Sequence, residues 1–376
     1  MDLQECRNEL DKIDKELVRL FEERMKICGN VAEYKIAVGK PVYDGEREKQ
    51  KLAAVTALAH GKYNRTAVQE LFTQLMTISR RYQYSFLAEH GQQQNLGYKQ
   101  VKQLPMDEVR VVYQGVEGAY SHAAALQYFG ESAEFYHVLT FEEAMQEVKE
   151  GRADYGVLPI ENSTAGAVID NYDLQIKYNN YIVAETFVKV RHVLLGCPDA
   201  ELSDIRTVFS HPQALMQCSD FLNERSRIMR QISLENTALA AKKVVEERDK
   251  SQAAIASEIA GRLYGLKVLQ PEIQNNKNNT TRFIVLSKSP IYRRDAAKIS
   301  ITFELPHRSG TLYNILGHFI FNGVNMRMIE SRPIPGRSWE YRFFVDIEGN
   351  LADAAIQNAL NGVAEEAQNM RILGNY

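Results

Sequence analysis

The first 38 residues carry one uninterrupted heptad pattern, and this pattern constrains the fold more than any other feature of the sequence. Side chains recur at steps of three and four residues, apolar at every position except Arg24: Leu3, Cys6, Leu10, Ile13, Leu17, Leu20, Arg24, Ile27, Val31, Tyr34 and Val38. This spacing predicts a single long helix. Gly39 and Pro41 are expected to end the helix, because proline has no N–H to continue the helical hydrogen bonds.

Three basic residues lie on or beside this apolar seam. Arg24 occupies a seam position itself, while Arg7 and Lys35 share the neighbouring position of the repeat. A buried charge is costly without a partner, so these residues either neutralise protein carboxylates or bind an anionic ligand. Arg7 and Lys35 could instead extend from the edge of the seam into solvent.

The helical rise separates these cations into two groups. Arg24 and Lys35 lie roughly 16 Å apart along the helix, close enough for two long side chains to hold one small anion. Arg7 lies about 26 Å from Arg24, too far to share that anion on a straight helix. Arg7 would therefore serve the site of a second copy. This predicts an intertwined homodimer and leaves a homotetramer open.

Two further helices are predicted between residues 44 and 86. Asp44 is expected to cap the second helix, with Arg47 and Glu48 on its face. The third helix carries Ser79 and Gln83, four residues apart, at the edge of its apolar stripe. The three helices together predict a pocket lined by basic and amide groups.

Residues 1–90 resemble an all-helical chorismate mutase. The resemblance rests on the identity and spacing of Arg7, Asp14, Arg24, Lys35, Asp44, Arg47, Glu48, Ser79 and Gln83. It implies a Claisen rearrangement of chorismate to prephenate without covalent catalysis. In this family Arg7 of the partner chain, Arg24 and Arg47 would hold the dianion.

The same resemblance implies the remaining roles. Lys35 and Gln83 would contact the ether oxygen, Asp44 and Glu48 would orient the ring hydroxyl, and Ser79 would complete the substrate site. A pericyclic reaction is accelerated by holding the compact conformer and stabilising charge on the breaking ether. Gln83 is an amide where some relatives carry a carboxyl group, so we expect no sharp acid optimum while Lys35 keeps its proton.

Residues 91–106 are predicted to be a linker. The stretch is rich in Gln and Lys and shows no apolar periodicity. Such composition is typical of a domain boundary, and its flexibility would make strict channelling of an intermediate between two sites difficult.

Residues 107–290 predict an α/β domain with a parallel sheet. Four apolar runs each lead into a polar loop: Val109–Tyr113, Tyr155–Ile160, Thr207–Phe209 and Ala253–Ala256. Helical stretches separate them, and parallel sheets bind ligands at the carboxyl ends of their strands. No Gly-x-Gly-x-x-Gly motif occurs in the sequence, which disfavours a dinucleotide-dependent dehydrogenase.

A fifth polar stretch, Asn278–Phe283, precedes the apolar run Ile284–Leu286. It combines two amides, two hydroxyls and a guanidinium, which suits the binding of a small carboxylate. The alternative is a polar turn whose Asn and Thr side chains bond their own backbone.

These loops resemble those of prephenate dehydratase. The matching motifs are Gly115–Ser121, Pro159–Ser163, Ser210–Gln213 and Thr281–Phe283. The resemblance implies two α/β lobes, similar in plan to periplasmic binding proteins, with the active site in the cleft. The reaction expels water and CO₂ from prephenate to give phenylpyruvate. The implied substrate residues are Tyr120, Ser121, Asn162, Ser163, Thr164, Ser210, His211, Gln213, Thr281, Arg282 and Phe283, with Thr281 catalytic.

Chemistry limits what three of these residues can do. The hydroxyl of Thr281 is a poor acid, so it would hydrogen-bond the departing hydroxyl or relay a proton. Arg282 would bind the pyruvyl carboxylate, which survives, because an ion pair to the departing carboxylate would stabilise the ground state. The alternative for Arg282 is an ion pair with a protein carboxylate. His211 is expected to organise its loop beside Pro212.

Residues 297–376 predict the element order βαββαβ, a ferredoxin-like plan. The module resembles an ACT domain, with Thr311 at a position where the family usually has Ala. The resemblance implies that phenylalanine binds between paired modules and inhibits the enzyme. The implied effector residues are Ser309, Gly310, Thr311, Leu312, Glu330, Ser331, Arg332 and Pro333. A purely structural module is the alternative.

Composition excludes several other classes. The net charge of −3 argues against a nucleic-acid surface. Four cysteines without a Cys-x-x-Cys pair and eight histidines without ligand spacing predict no metal site and no disulfide framework, and no cofactor motif is present. No apolar run approaches membrane length and no signal segment is recognisable, so a cytoplasmic, soluble protein is predicted.

The favoured interpretation is a multidomain, bifunctional enzyme of phenylalanine biosynthesis that converts chorismate to prephenate and prephenate to phenylpyruvate. A second interpretation keeps the dehydratase but makes the helical domain an inactive dimerising unit. A third treats the cleft and the C-terminal module as a small-molecule sensor without catalysis.

Overall fold

The computed structural model describes residues 2–89 and 96–376. The chain divides into two units by its internal contacts. The first unit combines Met1–Leu96 with Thr302–Arg371, and the second combines Gly97–Ile301 with Ile372–Tyr376. Helices dominate the N-terminal part of the first unit, whereas the second unit is α/β.

Three helices form the N-terminal part: α1 (Leu3–Val38), α2 (Gly45–Leu58) and α3 (Lys62–Glu89). The carboxylate of Asp2 caps α1 by accepting the Glu5 N–H at 2.8 Å. Gly39 ends α1 in the left-handed region, with φ of 66°. The predicted single helix and its end at Gly39 are therefore confirmed.

The heptad seam of α1 is not covered within one chain. Leu10 is 57% exposed, Leu17 54% and Tyr34 60%. Ala32 is the buried residue of this helix. The seam was expected to be a buried face, and the single chain leaves it in solvent.

The second unit contains the elements β1 (Lys99–Val101), β2 (Arg110–Gln114), α4 (Tyr120–Phe129), β3 (Glu134–Val138), α5 (Phe141–Glu150), β4 (Tyr155–Asn162), β5 (Gly166–Ala167), α6 (Ile169–Tyr178), β6 (Tyr181–Lys189), β7 (Val193–Gly196), a 3₁₀ turn (Leu202–Asp204), β8 (Thr207–Ser210), α7 (Pro212–Gln217), α8 (Ser219–Asn223), β9 (Arg230–Ser233), α9 (Thr237–Glu247), β10 (Gln252–Ala256), α10 (Glu258–Tyr264), β11 (Lys267–Gln270), β12 (Thr280–Ser287) and β13 (Ile291–Arg293). They form two main sheets, with strand orders β6-β12-β4-β2-β3 and β11-β7-β10-β8-β9.

The expectation of a parallel sheet holds only in part. Strands β2, β3 and β4 are parallel, as are β8, β9 and β10. Strand β12 runs antiparallel to both of its neighbours, β4 and β6. As a result, the beginning of β12 lies beside the carboxyl end of β4, with Thr281 opposite Asn162.

Part of the predicted linker is ordered structure. Residues 91–95 lie outside the described residues. Further along, β1 pairs in parallel with β13, and Leu104 is 5% exposed within the core of the second unit. Part of the stretch that was expected to be flexible therefore forms a strand at Lys99–Val101 and contributes Leu104 to the core.

The C-terminal module consists of β14 (Lys298–Leu305), α11 (Thr311–Phe321), β15 (Met326–Pro333), β16 (Tyr341–Glu348), α12 (Ala354–Glu366) and β17 (Gln368–Asn375). Its strand order is β15-β16-β14-β17. This is the βαββαβ plan that the sequence predicts. No helix within residues 2–89 and 96–376 is long and apolar enough to cross a membrane.

Candidate active sites

The amide of Asn162 fixes the hydroxyl of Thr281 at the edge of the sheet. Its Nδ2 donates to Thr281 Oγ1 at 2.9 Å and to Asn279 Oδ1 at 2.8 Å. Its Oδ1 accepts the backbone N–H groups of Thr164 and Ala165 at 3.0 and 2.8 Å. Asn162 is 9% exposed and Asn279 is 1% exposed, so this network is shielded from solvent.

This network determines the direction of the Thr281 proton. Two backbone donors hold Oδ1 of Asn162, so the amide cannot be flipped without losing both hydrogen bonds. Its N–H therefore points at Thr281 Oγ1 and occupies a lone pair there. The hydroxyl proton of Thr281 is left to donate to another acceptor.

Thr281 lies on the wall of a cleft of about 560 Å³ in the second unit. The lining residues come from the loops that follow strands of both sheets. They are Gln114, Ala119, Tyr120, Ser121, Phe141, Pro159, Asn162, Ala165, Gly166, Ala167, Val168, Val190, His192, His211, Gln213, Ala214, Gln217, Asn236, Thr237, Thr281 and Phe283. Seven of the predicted dehydratase residues thus meet in one place: Tyr120, Ser121, Asn162, His211, Gln213, Thr281 and Phe283.

Helix N-termini, and not cations, make this cleft suitable for an anion. Among the described residues that line it there is no Lys and no Arg. Five helices instead place their first residue or N-cap on the wall, at Ala119, Phe141, Val168, His211 and Asn236. Helices α4 and α6 have no side-chain cap, so their first N–H groups remain available to a ligand. Aligned peptide dipoles and free N–H groups favour negative charge at these ends.

Two histidines of the cleft are neutral near pH 7. His211 caps α7 by accepting the Gln213 N–H at 3.2 Å, which matches the predicted organising role. His192 is 2% exposed and lies 3.0 Å from Gln217 Oε1 and 3.2 Å from the Tyr120 hydroxyl. Burial lowers the pKa of both imidazoles and raises the pKa of the Tyr120 hydroxyl.

Sequence reasoning missed several wall residues. His192 sits in the segment between β6 and β7, and no local motif marks it. Asn236 is an N-cap that accepts the Leu239 N–H at 2.7 Å, a role that its position before an apolar helix could have signalled. Gln114 and Gln217 likewise reach the cleft only through the fold.

Three predicted substrate residues have other positions. Ser210 is fully buried and donates to the Ile255 carbonyl at 2.6 Å, which ties β8 to β10. Ser163 Oγ accepts the Thr280 N–H at 2.9 Å and so holds the loop that carries Asn162. Thr164 is exposed and does not line the cleft. Ser210 and Ser163 thus support the wall through their hydrogen bonds, whereas Thr164 is exposed to solvent.

Arg282 points away from the cleft, contrary to expectation. Neighbouring residues on a strand face opposite sides of the sheet, and Thr281 takes the cleft side. The guanidinium donates to Glu185 Oε2 and to the Tyr376 hydroxyl, both at 2.7 Å, and lies 3.7 Å from Glu161. Arg282 is thus paired with protein carboxylates, the alternative that the sequence left open.

In the first unit, α1 and α3 bring together three predicted mutase residues. The guanidinium of Arg24 donates to the Ser79 hydroxyl and to the Leu75 carbonyl, the latter at 3.2 Å. Gln83 lies one turn beyond Ser79 and is 7% exposed. Its Oε1 is buried without a hydrogen-bond partner in the described part of the chain. An unpartnered buried amide oxygen is the kind of group that a ligand would satisfy.

The remaining mutase residues surround the start of α2. Asp44 caps α2 by accepting the Arg47 N–H at 3.0 Å, as predicted. Lys35 donates to the Val42 carbonyl; burial lowers its pKa, and the nearby carboxylates of Asp44 and Glu48 oppose this shift. Glu48 is half-buried and Arg47 is exposed.

Arg7 lies apart from the other mutase residues. It is exposed near the beginning of α1, four turns and more from Arg24 on an unbroken helix. The single chain therefore does not bring Arg7 to the site that it was predicted to serve.

The predicted effector residues occupy two places in the C-terminal module. Ser309 and Gly310 precede α11, where Thr311 Oγ1 donates to the carbonyls of Arg308 and Pro306 at 3.0 and 3.2 Å. Leu312 follows on α11. The other four form the end of the edge strand β15: Glu330, Ser331, Arg332 and Pro333. No metal-binding group of three or more His, Cys, Asp or Glu exists among the residues that the structure describes.

Comparison with known proteins agrees with this geometry. Residues 6–84 match the family model of chorismate mutase type II, and residues 111–291 match that of prephenate dehydratase. The bifunctional chorismate mutase/prephenate dehydratase of Aquifex aeolicus (strain VF5) is 31% identical over 378 residues, which cover 100% of this chain and 98% of that protein. This chain belongs to the bifunctional chorismate mutase/prephenate dehydratase family. Membership confirms the predicted pair of activities, an isomerase and a lyase of aromatic amino acid biosynthesis, and disfavours both the inactive-mutase and the sensor interpretations.

Two solved structures resemble this bifunctional enzyme over 71% of its length, each with a TM-score of 0.66. One is prephenate dehydratase from Arthrobacter aurescens in complex with L-Phe, which is 31% identical and covered to 90%. The other is GqqA, described as a novel type of quorum quenching acylase, which is 32% identical and covered to 97%.

The Asn162 network predicts the effect of one isosteric change. Asn162→Asp keeps the acceptor for the Thr164 and Ala165 N–H groups but removes the donor to Thr281 and adds a negative charge to an anion site. We expect the dehydratase kcat to fall about 10²–10³-fold, as for the loss of one preorganised donor. The mutase activity of the same chain is the internal control. A dehydratase kcat equal to that of the wild type would contradict this role.

The position of Arg282 predicts a loss of stability without a loss of product affinity. Arg282→Ala leaves Glu185 with Lys298 as its remaining partner, at 2.6 Å, and should lower the free energy of unfolding by about 3 kcal/mol. Urea unfolding measures this change, and calorimetric titration measures phenylpyruvate binding, whose Kd should not change. Weaker phenylpyruvate binding with unaltered stability would instead restore the substrate-binding role.

Proposed function

We propose that Thr281 is the proton donor of the dehydratase, acting on the departing hydroxyl of prephenate. The observation that supports this proposal is that Asn162 donates a hydrogen bond to Thr281 Oγ1. The hydroxyl proton of Thr281 is therefore free to point to a ligand in the cleft. The C–O bond breaks as the hydroxyl takes this proton, the C–C bond to the ring carboxylate breaks, CO₂ leaves, and the ring becomes aromatic. One proton from solvent is consumed and restores the Thr281 hydroxyl.

The anion-binding walls of the cleft suit this reaction. The pyruvyl carboxylate would bind at the uncapped N-terminus of α4 beside Ser121. The ring carboxylate must depart, and a cation held against it would oppose its loss. A cleft whose described wall has neither Lys nor Arg avoids that cost.

Two substitutions at one position test the proposal for Thr281. Thr281→Ala should lower the dehydratase kcat by about 10²–10⁴, the range for a positioned proton donor. Thr281→Ser keeps the hydroxyl and should retain most of the activity. Conversion of prephenate to phenylpyruvate is followed in steady state, with the mutase rate as control. Equal activities of the Ala and Ser variants would refute the role.

For the mutase, we propose a site completed by Arg7 of a second copy. The support is the apolar seam of α1, which one chain leaves exposed, together with the distance of Arg7 from Arg24. A second α1 packed antiparallel along this seam would bury its apolar residues and bring its Arg7 towards Arg24, Lys35 and Gln83. The four groups would hold the dianion and stabilise charge on the ether oxygen.

Mixing two inactive variants tests this arrangement. Arg7→Ala and Arg24→Ala should each abolish most mutase activity as homodimers. In a heterodimer one site lacks both arginines and the other lacks neither. Co-refolding equal amounts should therefore recover about a quarter of the wild-type mutase activity if the chains pair at random. No recovery above the mean of the two variants would place Arg7 and Arg24 in sites built from one chain.

We further propose that phenylalanine is the effector, bound by the C-terminal module. The module has the predicted βαββαβ plan, and a relative with 31% identity was solved in complex with L-Phe. The loop before α11 and the end of β15 would form the site. Supplying chorismate and following prephenate and phenylpyruvate, with and without phenylalanine, tests both activities and the effector in one assay.

A further inference from the structure

Arg80 of α3 is a buried cation held by carboxylates from two distant parts of the chain. Its side chain is 7% exposed. Nη1 binds Glu48 Oε2 on α2, and Nη2 donates to Glu366 Oε1 on α12 at 2.9 Å. Glu365, also on α12, lies 3.7 Å from Nε. One guanidinium thus connects a predicted mutase residue to the C-terminal module.

The contact leaves one oxygen of Glu48 available. Arg80 engages Oε2, and Oε1 of Glu48 makes no hydrogen bond within residues 2–89 and 96–376. A carboxylate that orients a substrate hydroxyl has to be fixed in one rotamer, because misplacement by about 1 Å can cost 10²-fold in rate. A planar guanidinium with two occupied edges is suited to fix it.

One carboxyl group of α12, that of Glu365, also contributes to the electrostatic environment of Lys35. Burial lowers the pKa of Lys35, and Glu365 is among the carboxylates that oppose this shift. Burial raises the pKa of Glu365 to about 8, and its carboxyl group accepts a hydrogen bond from the Tyr84 hydroxyl. Glu48 and Glu366 make the two closest contacts with the guanidinium of Arg80, and Glu365 lies farther away at 3.7 Å.

We propose that Arg80 is a positioning residue of the mutase site and that Glu366 of the C-terminal module holds it in place. This inference rests on the proposed role of Glu48 in orienting the ring hydroxyl of chorismate. It makes helix α12 a structural part of the mutase site, although α12 and α2 are about 300 residues apart in the sequence.

The chain offers a matched control on the same helix. Arg81 also joins α3 to the C-terminal module: it donates to the Phe321 carbonyl at 2.9 Å, and its guanidinium carbon lies 4.3 Å from the centre of the Phe321 ring. Arg81 has no contact with Glu48 in the described structure. Arg81→Gln therefore weakens the same junction without disturbing the mutase carboxylate.

The experiment measures mutase kcat and KM in the full-length enzyme. Glu366→Gln removes the charge that holds Arg80. Arg80→Lys keeps the positive charge but replaces the planar guanidinium, whose two terminal nitrogens contact Glu48 and Glu366, by a single ammonium group. We expect each to lower kcat about tenfold to hundredfold with a smaller change in KM, and Arg81→Gln to leave kcat unchanged. Far-UV circular dichroism of each preparation reports that the helices of the first unit are folded, and dehydratase activity reports the same for the second unit. An equal loss in Arg81→Gln, or no loss in Glu366→Gln and Arg80→Lys, would overturn the proposal.

A double-mutant cycle separates this proposal from the one on which it rests. If Glu366 acts through Glu48, adding Glu366→Gln to Glu48→Gln should cause no further loss of kcat. Additive losses would show that Glu366 acts by another route and would overturn the inference. If Glu48→Gln by itself leaves kcat unchanged, the assigned role of Glu48 fails first.

Discussion

The direction of one strand determines the dehydratase site. Because β12 is antiparallel to β4, its first residues lie beside the last residues of β4, and Asn162 reaches Thr281 across one pair of strands. In a parallel arrangement, Thr281 would lie at the opposite edge of the sheet from Asn162 and from the loop of Ser121. The hydrogen bond from Asn162 to Thr281, and with it the position of Thr281 on the cleft wall, depends on this one pairing.

The sequence was most informative where function depends on residues that are near one another in the chain. Asp44 as a cap, His211 as a loop organiser, the long helix and the βαββαβ order follow from local rules of capping, periodicity and turn chemistry. The meeting of polar loops at one cleft also followed, because such loops collect at one edge of an α/β sheet. The antiparallel direction of β12 could not be predicted from the sequence, since apolar composition does not encode strand direction.

Arg80 and Arg282 show that residue type alone does not indicate which way a buried arginine faces or which groups it contacts. Both are buried arginines beside predicted site residues, and both are paired with carboxylates. Arg282 belongs to a recognisable motif yet faces away from the cleft, whereas Arg80 belongs to none and contacts Glu48. Which face of an element a residue takes is fixed by register and by partners far away in the chain, such as Tyr376 and Glu366. A sequence motif gives the position of a residue in the chain, whereas the direction of its side chain follows only from the packed structure.

A second copy on the seam of α1, as proposed for the mutase, would give the two activities different dependence on chain concentration during folding. The dehydratase cleft is built within one unit of a single chain, so its formation is a unimolecular event. A mutase site that needs a second α1 forms only on encounter, at a rate that rises with the square of the chain concentration. A newly refolded, dilute solution would then consume prephenate before it could make any. The lag between the two activities would measure the bimolecular rate constant of assembly.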